Sequence, residues 1–178
     1  LEKVIPENAI VIGDGGDFIG TVANVLTGRG VFSWLDPGSF GTLGVGGGFA
    51  MAAKQVYPEK PIWLLWGDGS CGFSIAEIDT LCRHNLPIIA VIGNDAGWTQ
   101  IERDQKPIFD SDIACPLEYT HYEQVGQGYG ATGILIKYGD SIEDKLHLAE
   151  KICLETQKPV VVNVLMGSSN FREGSISV

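Results

Sequence analysis

The chain has 178 residues, 44% hydrophobic and 19% charged, which suffices for one domain with a real core and excludes a disordered chain. Twelve basic against 22 acidic side chains give a formal charge of −10, so the basic stripe that nucleic-acid binding needs is missing. The longest uncharged apolar stretch, residues 43–53, is too short and too glycine-rich to cross a bilayer, so no membrane contact is expected from this segment.

The first β-rich run, residues 9–12, ends in Gly13, Asp14, Gly15 and Gly16. A second run, residues 61–66, ends at Gly67, Asp68 and Gly69. Next, Ser74 and Glu77 have the spacing of a capping box, which predicts a helix with Ile75, Ile78, Leu81 and Cys82 on its apolar stripe and a stop at Pro87. A third run, residues 87–92, ends at Gly93, Asn94 and Asp95. Residues 94–116 are polar without a period and read as a functional loop. Strands follow at 132–136 and 159–166, flanking an amphipathic helix at 141–156 with Ile142, Leu146, Ala149 and Ile152 inward. Apolar strands separated by helices predict an α/β fold, a doubly wound parallel sheet with helices on both faces, forming one domain over residues 1–178. In such a sheet ligands sit at the carboxyl ends of the strands.

Three strand ends are therefore candidate sites, although each glycine-rich triplet also serves as an ordinary tight turn. Spacing separates them. From Asp68, a helix and a full strand lead to Asp95, 27 residues on, whereas the same step from Asp14 lands on Gly41, which has no side-chain ligand. A β-α-β unit of that length returns to the neighbouring strand, so Asp68 and Asp95 would converge at one corner. Two carboxylates suit a hard cation such as Mg2+, and Mg2+ commonly bridges to phosphate oxygens. A metal-bridged diphosphate would also reconcile an anionic ligand with an acidic chain.

The other candidates have plainer readings. His84, His121 and His147 are isolated and fit helix or surface positions. Trp63 and Trp66 suit packing against two helical layers, while Trp98 either lines the pocket or packs beneath the loop. Glu102, Arg103 and Asp104 read as a solvated charge run, and Cys71, lacking a nearby histidine, as a small packed residue. Cys71, Cys82, Cys115 and Cys153 are too widely spaced for a zinc site or disulfide framework and fit a reducing compartment.

Gly67, Asp68, Gly69 and Ser70, with the 27-residue step to Asp95, resemble the signature of thiamine diphosphate enzymes, specifically their diphosphate-binding, C-terminal domain. The texture of residues 35–46 and 93–100 is similar to the acetolactate synthase-like and 2-hydroxyacyl-CoA lyase branch, and residues 171–178 resemble the end of such a protein. The resemblance implies Mg2+ held by Asp68, Asp95 and the backbone carbonyl of Gly97, with Asn94 the alternative ligand if the register slips by one. It implies diphosphate contacts from Gly67, Gly69 and Ser70, with Gly15 and Gly16 closing over the phosphates. Leu43, 25 residues before Asp68, falls where the family places the bulky residue that props the cofactor in its bent form. The family usually has Asn at Asp95; the extra charge would need offsetting by Arg103, Lys106 or a neighbouring chain.

The resemblance further implies a carbon–carbon lyase or ligase, with no catalytic side chain on this segment. The activating glutamate would lie in a separate pyrimidine-binding domain of the same protein. A start at Leu1 suggests a fragment of a longer enzyme, inactive by itself, whose missing N-terminal part could anchor it to the endoplasmic reticulum membrane. A homodimer or tetramer is expected, with a helix over residues 42–53 turning Gly46, Gly47, Gly48, Ala50, Ala52 and Ala53 toward another subunit. Competing readings are the small subunit of a two-chain 2-oxoacid decarboxylase, a phosphotransfer domain with Asp68 as nucleophile, and a non-enzymatic ligand-binding or assembly module.

Overall fold

The five apolar runs become strands in the computed structural model, which describes residues 1–170, and a short strand the sequence did not announce, at Trp34–Leu35, makes six. They are β1 (Ile10–Asp14), β2 (Trp34–Leu35), β3 (Ile62–Gly67), β4 (Ile89–Asn94), β5 (Thr132–Ile136) and β6 (Val160–Leu165). All pair in parallel, in the order β2-β1-β3-β4-β6-β5. Seven helices connect them: α1 (Asp17–Val25), α2 (Gly46–Val56), α3 (Asp68–Ser74), α4 (Glu77–Arg83), α5 (Thr99–Phe109), α6 (Tyr122–Gly128) and α7 (Ile142–Thr156). The tail at residues 171–178, which resembles the family's carboxyl end, lies outside the described residues.

Side-chain alternation along the strands divides the core in two. Val11, Trp63, Leu65, Val91 and Val162 pack with Ile19 and Val22 of α1 and Leu146, Ala149 and Cys153 of α7. Ile12, Leu64, Trp66, Ala90 and Val161 pack with Ala50 and Ala53 of α2, Cys71 of α3, and Ile78 and Leu81 of α4. Trp63 and Trp66 thus serve opposite layers, as their odd spacing requires. The chain leaves β1 toward β2 on one side and returns to β3 on the other, so a crevice opens at the carboxyl ends of β1 and β3. β4 lies directly beside β3, with Gly67 opposite Gly93.

Several expectations need correction. Ser74 caps no helix: α3 already begins at Asp68, and the Ser74 hydroxyl is buried without a hydrogen-bond partner. Residues 99–109 are helical, although nothing in α5 is buried and Pro107 lies within it. Ile142 is 53% exposed, and Cys153 takes the inward place instead. The glycine-rich helix begins at Gly46, and four of its six small residues (Gly46, Gly47, Ala50 and Ala53) are buried within this chain. A Cβ on Gly46 would stand 2.7 Å from Leu64 Cδ1, and one on Gly47 2.9 Å from Glu77 Cβ. These glycines let α2 approach its own sheet and α4; Gly48 and Ala52 remain exposed.

Candidate functional site

Strand ends at β1, β3 and β4 open into one cavity of about 640 Å³. Gly15, Gly16, Leu43, Gly67, Asp68, Gly69, Ser70, Asp95 and Gly97 all line it, together with Trp98, Thr99, Phe18 and Asp17. Asn94 does not. Cavities of this size accommodate a cofactor-sized ligand.

Asp68 opens α3 directly from β3 and is 3% exposed. Its two oxygens accept from the backbone N–H groups of Gly69 (2.8 Å) and Gly97 (3.1 Å). Burial, then the nearby Asp95 carboxylate, push its pKa up from 3.8 to about 6 despite those hydrogen bonds. Burial also raises Asp95, against a 2.7 Å hydrogen bond from the Thr99 hydroxyl, and Asp17 adds repulsion. Two raised carboxylates in one cavity constitute a place that wants positive charge.

The turn between them is unusual. Ala96 adopts a left-handed φ of 58°, a conformation that costs about 1 kcal/mol for a side chain other than glycine. It brings the Gly97 N–H to Asp68, while Trp98 and Leu117 N–H groups tie the loop to the opposing strand-like segment at Cys115 and Pro116. Asn94, fully buried, faces away from the cavity: its amide donates to the Thr120 carbonyl and to Asn163 Oδ1, and its oxygen accepts from Ala96 N–H.

On the opposite wall, Gly15 and Gly16 have φ of 61° and 94°, so the chain turns there as an L side chain rarely can. A Cβ on Gly15 would run into Leu43 Cδ2, which fixes how closely Leu43 approaches this loop. The Gly69 amide is engaged with Asp68, and the Ser70 hydroxyl donates to the Asp14 carbonyl, so both expected phosphate donors have internal partners. Arg103 forms an ion pair with Asp17, and Lys106 pairs with Glu102 (3.3 Å) and lies near Asp112 (3.8 Å).

Two contributors escaped the sequence, and a third, Trp98, has two open readings there. Asp14, dismissed as a turn residue, is wholly buried and accepts from Gly44 N–H (3.0 Å), Gly46 N–H (2.8 Å) and Trp66 Nε1 (3.2 Å). It anchors both the Leu43 loop and the start of α2. The Tyr122 hydroxyl donates to the Asp68 carbonyl at 3.2 Å. Trp98 both lines the cavity and covers Gly69, its ring edge-on to Phe73 at 6.3 Å. No sequence signal identifies the first two, since their partners are distant in the chain.

Residues 13–164 match the family model described as "Thiamine pyrophosphate enzyme, C-terminal TPP binding domain". The whole chain aligns with 2-hydroxyacyl-CoA lyase 2 of Caenorhabditis elegans at 50% identity and with that of Homo sapiens at 49%, covering 28% of each. An acetolactate synthase large subunit of Mycobacterium tuberculosis is 35% identical over 95% of the chain and 30% of its own length. The fold is shared with the thiamine diphosphate-dependent 4-hydroxybenzoylformate decarboxylase of Rhodococcus jostii RHA1, with a TM-score of 0.79 at 19% identity over 94% of this chain and 31% of that one. The chain thus spans under a third of the length of the proteins it matches.

Proposed function

Because the chain belongs to the thiamine pyrophosphate enzyme family, as its C-terminal cofactor-binding domain, we propose that the cavity at the ends of β1, β3 and β4 holds the Mg2+-diphosphate end of thiamine diphosphate. The observation that carries this reading is convergence: nine residues singled out from sequence line a single cavity, two of them carboxylates raised above their ordinary pKa. Hard oxygen donors fit Mg2+, and the donor set is Asp68, Asp95 and the Gly97 carbonyl. Asp95 is preferred over Asn94 because the Asn94 side chain is engaged in the interior.

Once bound, thiamine diphosphate supplies carbanion-stabilising chemistry, and the protein's part is position and electrostatics. Asp68 and Asp95 neutralise the cation. Gly69 N–H and the Ser70 hydroxyl would be the donors to phosphate oxygens, and the Gly15–Gly16 turn would admit the phosphates without a side chain in the way. Leu43, held by Asp14 through the Gly44 amide, presents an apolar buttress to the cofactor's middle.

The whole protein is proposed to be a carbon–carbon lyase or ligase resembling 2-hydroxyacyl-CoA lyase or acetolactate synthase. The activating glutamate comes from a pyrimidine-binding domain elsewhere in that protein, and the sites are completed in a homodimer or tetramer. Among the described residues no helix is long and apolar enough to cross a membrane. A phosphotransfer role for Asp68 is disfavoured, because Asp68, Gly69 and Ser70 lack the second carboxylate of a D-x-D pattern. Calorimetry on the whole protein with Mg2+ tests the reading: thiamine diphosphate binds, and ATP and FMN do not. Binding of ATP or FMN in its place would overturn it.

A further inference from the structure

Strand β6 is a run of valines interrupted by one fully buried amide, Asn163. It lies opposite Ile92 of β4 and Leu135 of β5, a position where another apolar residue would pack without desolvation cost. The amide is one link in a continuous interior chain. Asn163 Nδ2 donates to Glu123 Oε2 at 2.7 Å and to the Thr120 carbonyl at 3.0 Å. Asn163 Oδ1 accepts from Asn94 Nδ2 at 3.2 Å, and Asn94 Nδ2 also donates to the Thr120 carbonyl at 3.1 Å. Asn94 Oδ1 then accepts from the Ala96 N–H at 3.3 Å.

The order of donors and acceptors in this chain is forced. An ionised carboxylate only accepts, so Asn163 must turn its NH2 toward Glu123 and its oxygen toward Asn94. Asn94 must in turn present its NH2 to Asn163, which leaves its oxygen facing the strained turn. Glu123, on α6 and only 6% exposed, is the fixed end; its other oxygen lies 2.9 Å from His121 Nδ1. The far end grips the N–H of Ala96, the residue held at φ 58° between Asp95 and Gly97.

We propose that Glu123 and Asn163 are positioning residues for the cation site, acting through Asn94 to hold the left-handed turn that aims Asp95 and Gly97 at the cavity. This rests on the reading that Asp68 and Asp95 hold Mg2+. Neither positioning residue lines the cavity. Their effect is on the geometry of the ligands, and partners of this kind are typically worth about 10-fold or more in metal affinity.

The test is calorimetric titration of Mg2+ into the whole protein at saturating thiamine diphosphate, paired with thermal unfolding. Asn163→Leu, close in shape and flanked by valines, and Glu123→Leu should each weaken Mg2+ by about 10-fold. Glu123→Gln, which keeps an oxygen for Asn163, should restore affinity to within about 3-fold of the wild type, inside the loss of one neutral hydrogen bond. Should Glu123→Leu fail to fold, Asn163→Leu and Glu123→Gln decide the matter. Unchanged Mg2+ affinity in Asn163→Leu, with only a lowered unfolding temperature, would overturn the inference and leave the chain a structural network. Asp68→Ala is the control for the underlying reading: if it abolishes Mg2+ binding while Asn163→Leu does not weaken it, the relay alone is wrong. If Asp68→Ala binds Mg2+ like the wild type, the cation site itself is wrong.

Discussion

Replacing Gly69 by alanine should change sign of effect according to what stands at Trp98. Gly69 lies in the first turn of α3, where exchanging glycine for alanine ordinarily stabilises a helix by about 1 kcal/mol. Here the added Cβ would meet three carbons of the Trp98 ring at 2.6, 2.6 and 2.8 Å, well inside ordinary contact. The ring must tilt, and overpacking of this kind costs roughly 1–3 kcal/mol. The net effect is a destabilisation of about 1 kcal/mol, the difference between those two terms. Trp98 follows Gly97, whose N–H is bonded to Asp68, so the same tilt should also weaken Mg2+-dependent cofactor binding. In a Trp98→Ala background the obstacle is gone, and Gly69→Ala should stabilise by about 1 kcal/mol relative to that background. The assay is a double-mutant cycle read by urea unfolding of the cofactor-free protein and by cofactor titration. Equal cost of Gly69→Ala in both backgrounds would refute the packing argument.

Leu43→Ala should leave cofactor affinity largely intact and lower turnover, by up to about 100-fold, since it misplaces the cofactor without touching its phosphates; collapsed affinity with unchanged saturated turnover would mark Leu43 as ordinary core. Asp68 should make the cofactor-free protein less stable as pH rises. Its folded pKa of about 6 lies above the ordinary 3.8, so the folded state holds the extra proton between those values. Stability from this group is full below pH 3.8 and lost as pH climbs through 6, at most about 3 kcal/mol for such a displacement. The difference between wild type and Asp68→Asn across pH 4–7 reads it, and Mg2+ with thiamine diphosphate should reverse the loss; a flat difference would count against a raised Asp68.

The parallel sheet is legible because β1, β3 and β4 are apolar on both faces, and the corner is legible because one β-α-β step carries Asp68 to Asp95. Helix α5 is not, because Ile101, Ile108 and Phe109 are exposed and no stripe turns inward to set a period. The start of α3 was hidden by Gly69 and Gly72, poor helix formers; the crowded corner at Trp98 accounts for the first, and nothing in the structure explains the second. Helix α6 was equally masked: Gly126 is there because a Cβ would meet Val161 at 2.6 Å. The supporting contacts were beyond reach for a different reason. Asp14 meets Gly44 and Gly46, Tyr122 meets Asp68, and Glu123 meets Asn163 only once the sheet is assembled, and no local pattern encodes such pairs.

The central claim is that Asp68 and Asp95 together receive the cation that carries the cofactor's diphosphate. Titrating thiamine diphosphate at fixed Mg2+ into Asp68→Ala, Asp95→Ala, Asp95→Asn and Asn94→Ala forms of the whole protein tests it most directly. Both aspartate-to-alanine changes should abolish Mg2+-dependent binding. Asp95→Asn should bind as well as the wild type or better, because it keeps an oxygen ligand and removes one charge facing the diphosphate. Asn94→Ala should weaken binding only through the turn at Ala96. Lost binding in Asn94→Ala with intact binding in Asp95→Ala would move the ligand to Asn94, and intact binding in all four would contradict the account.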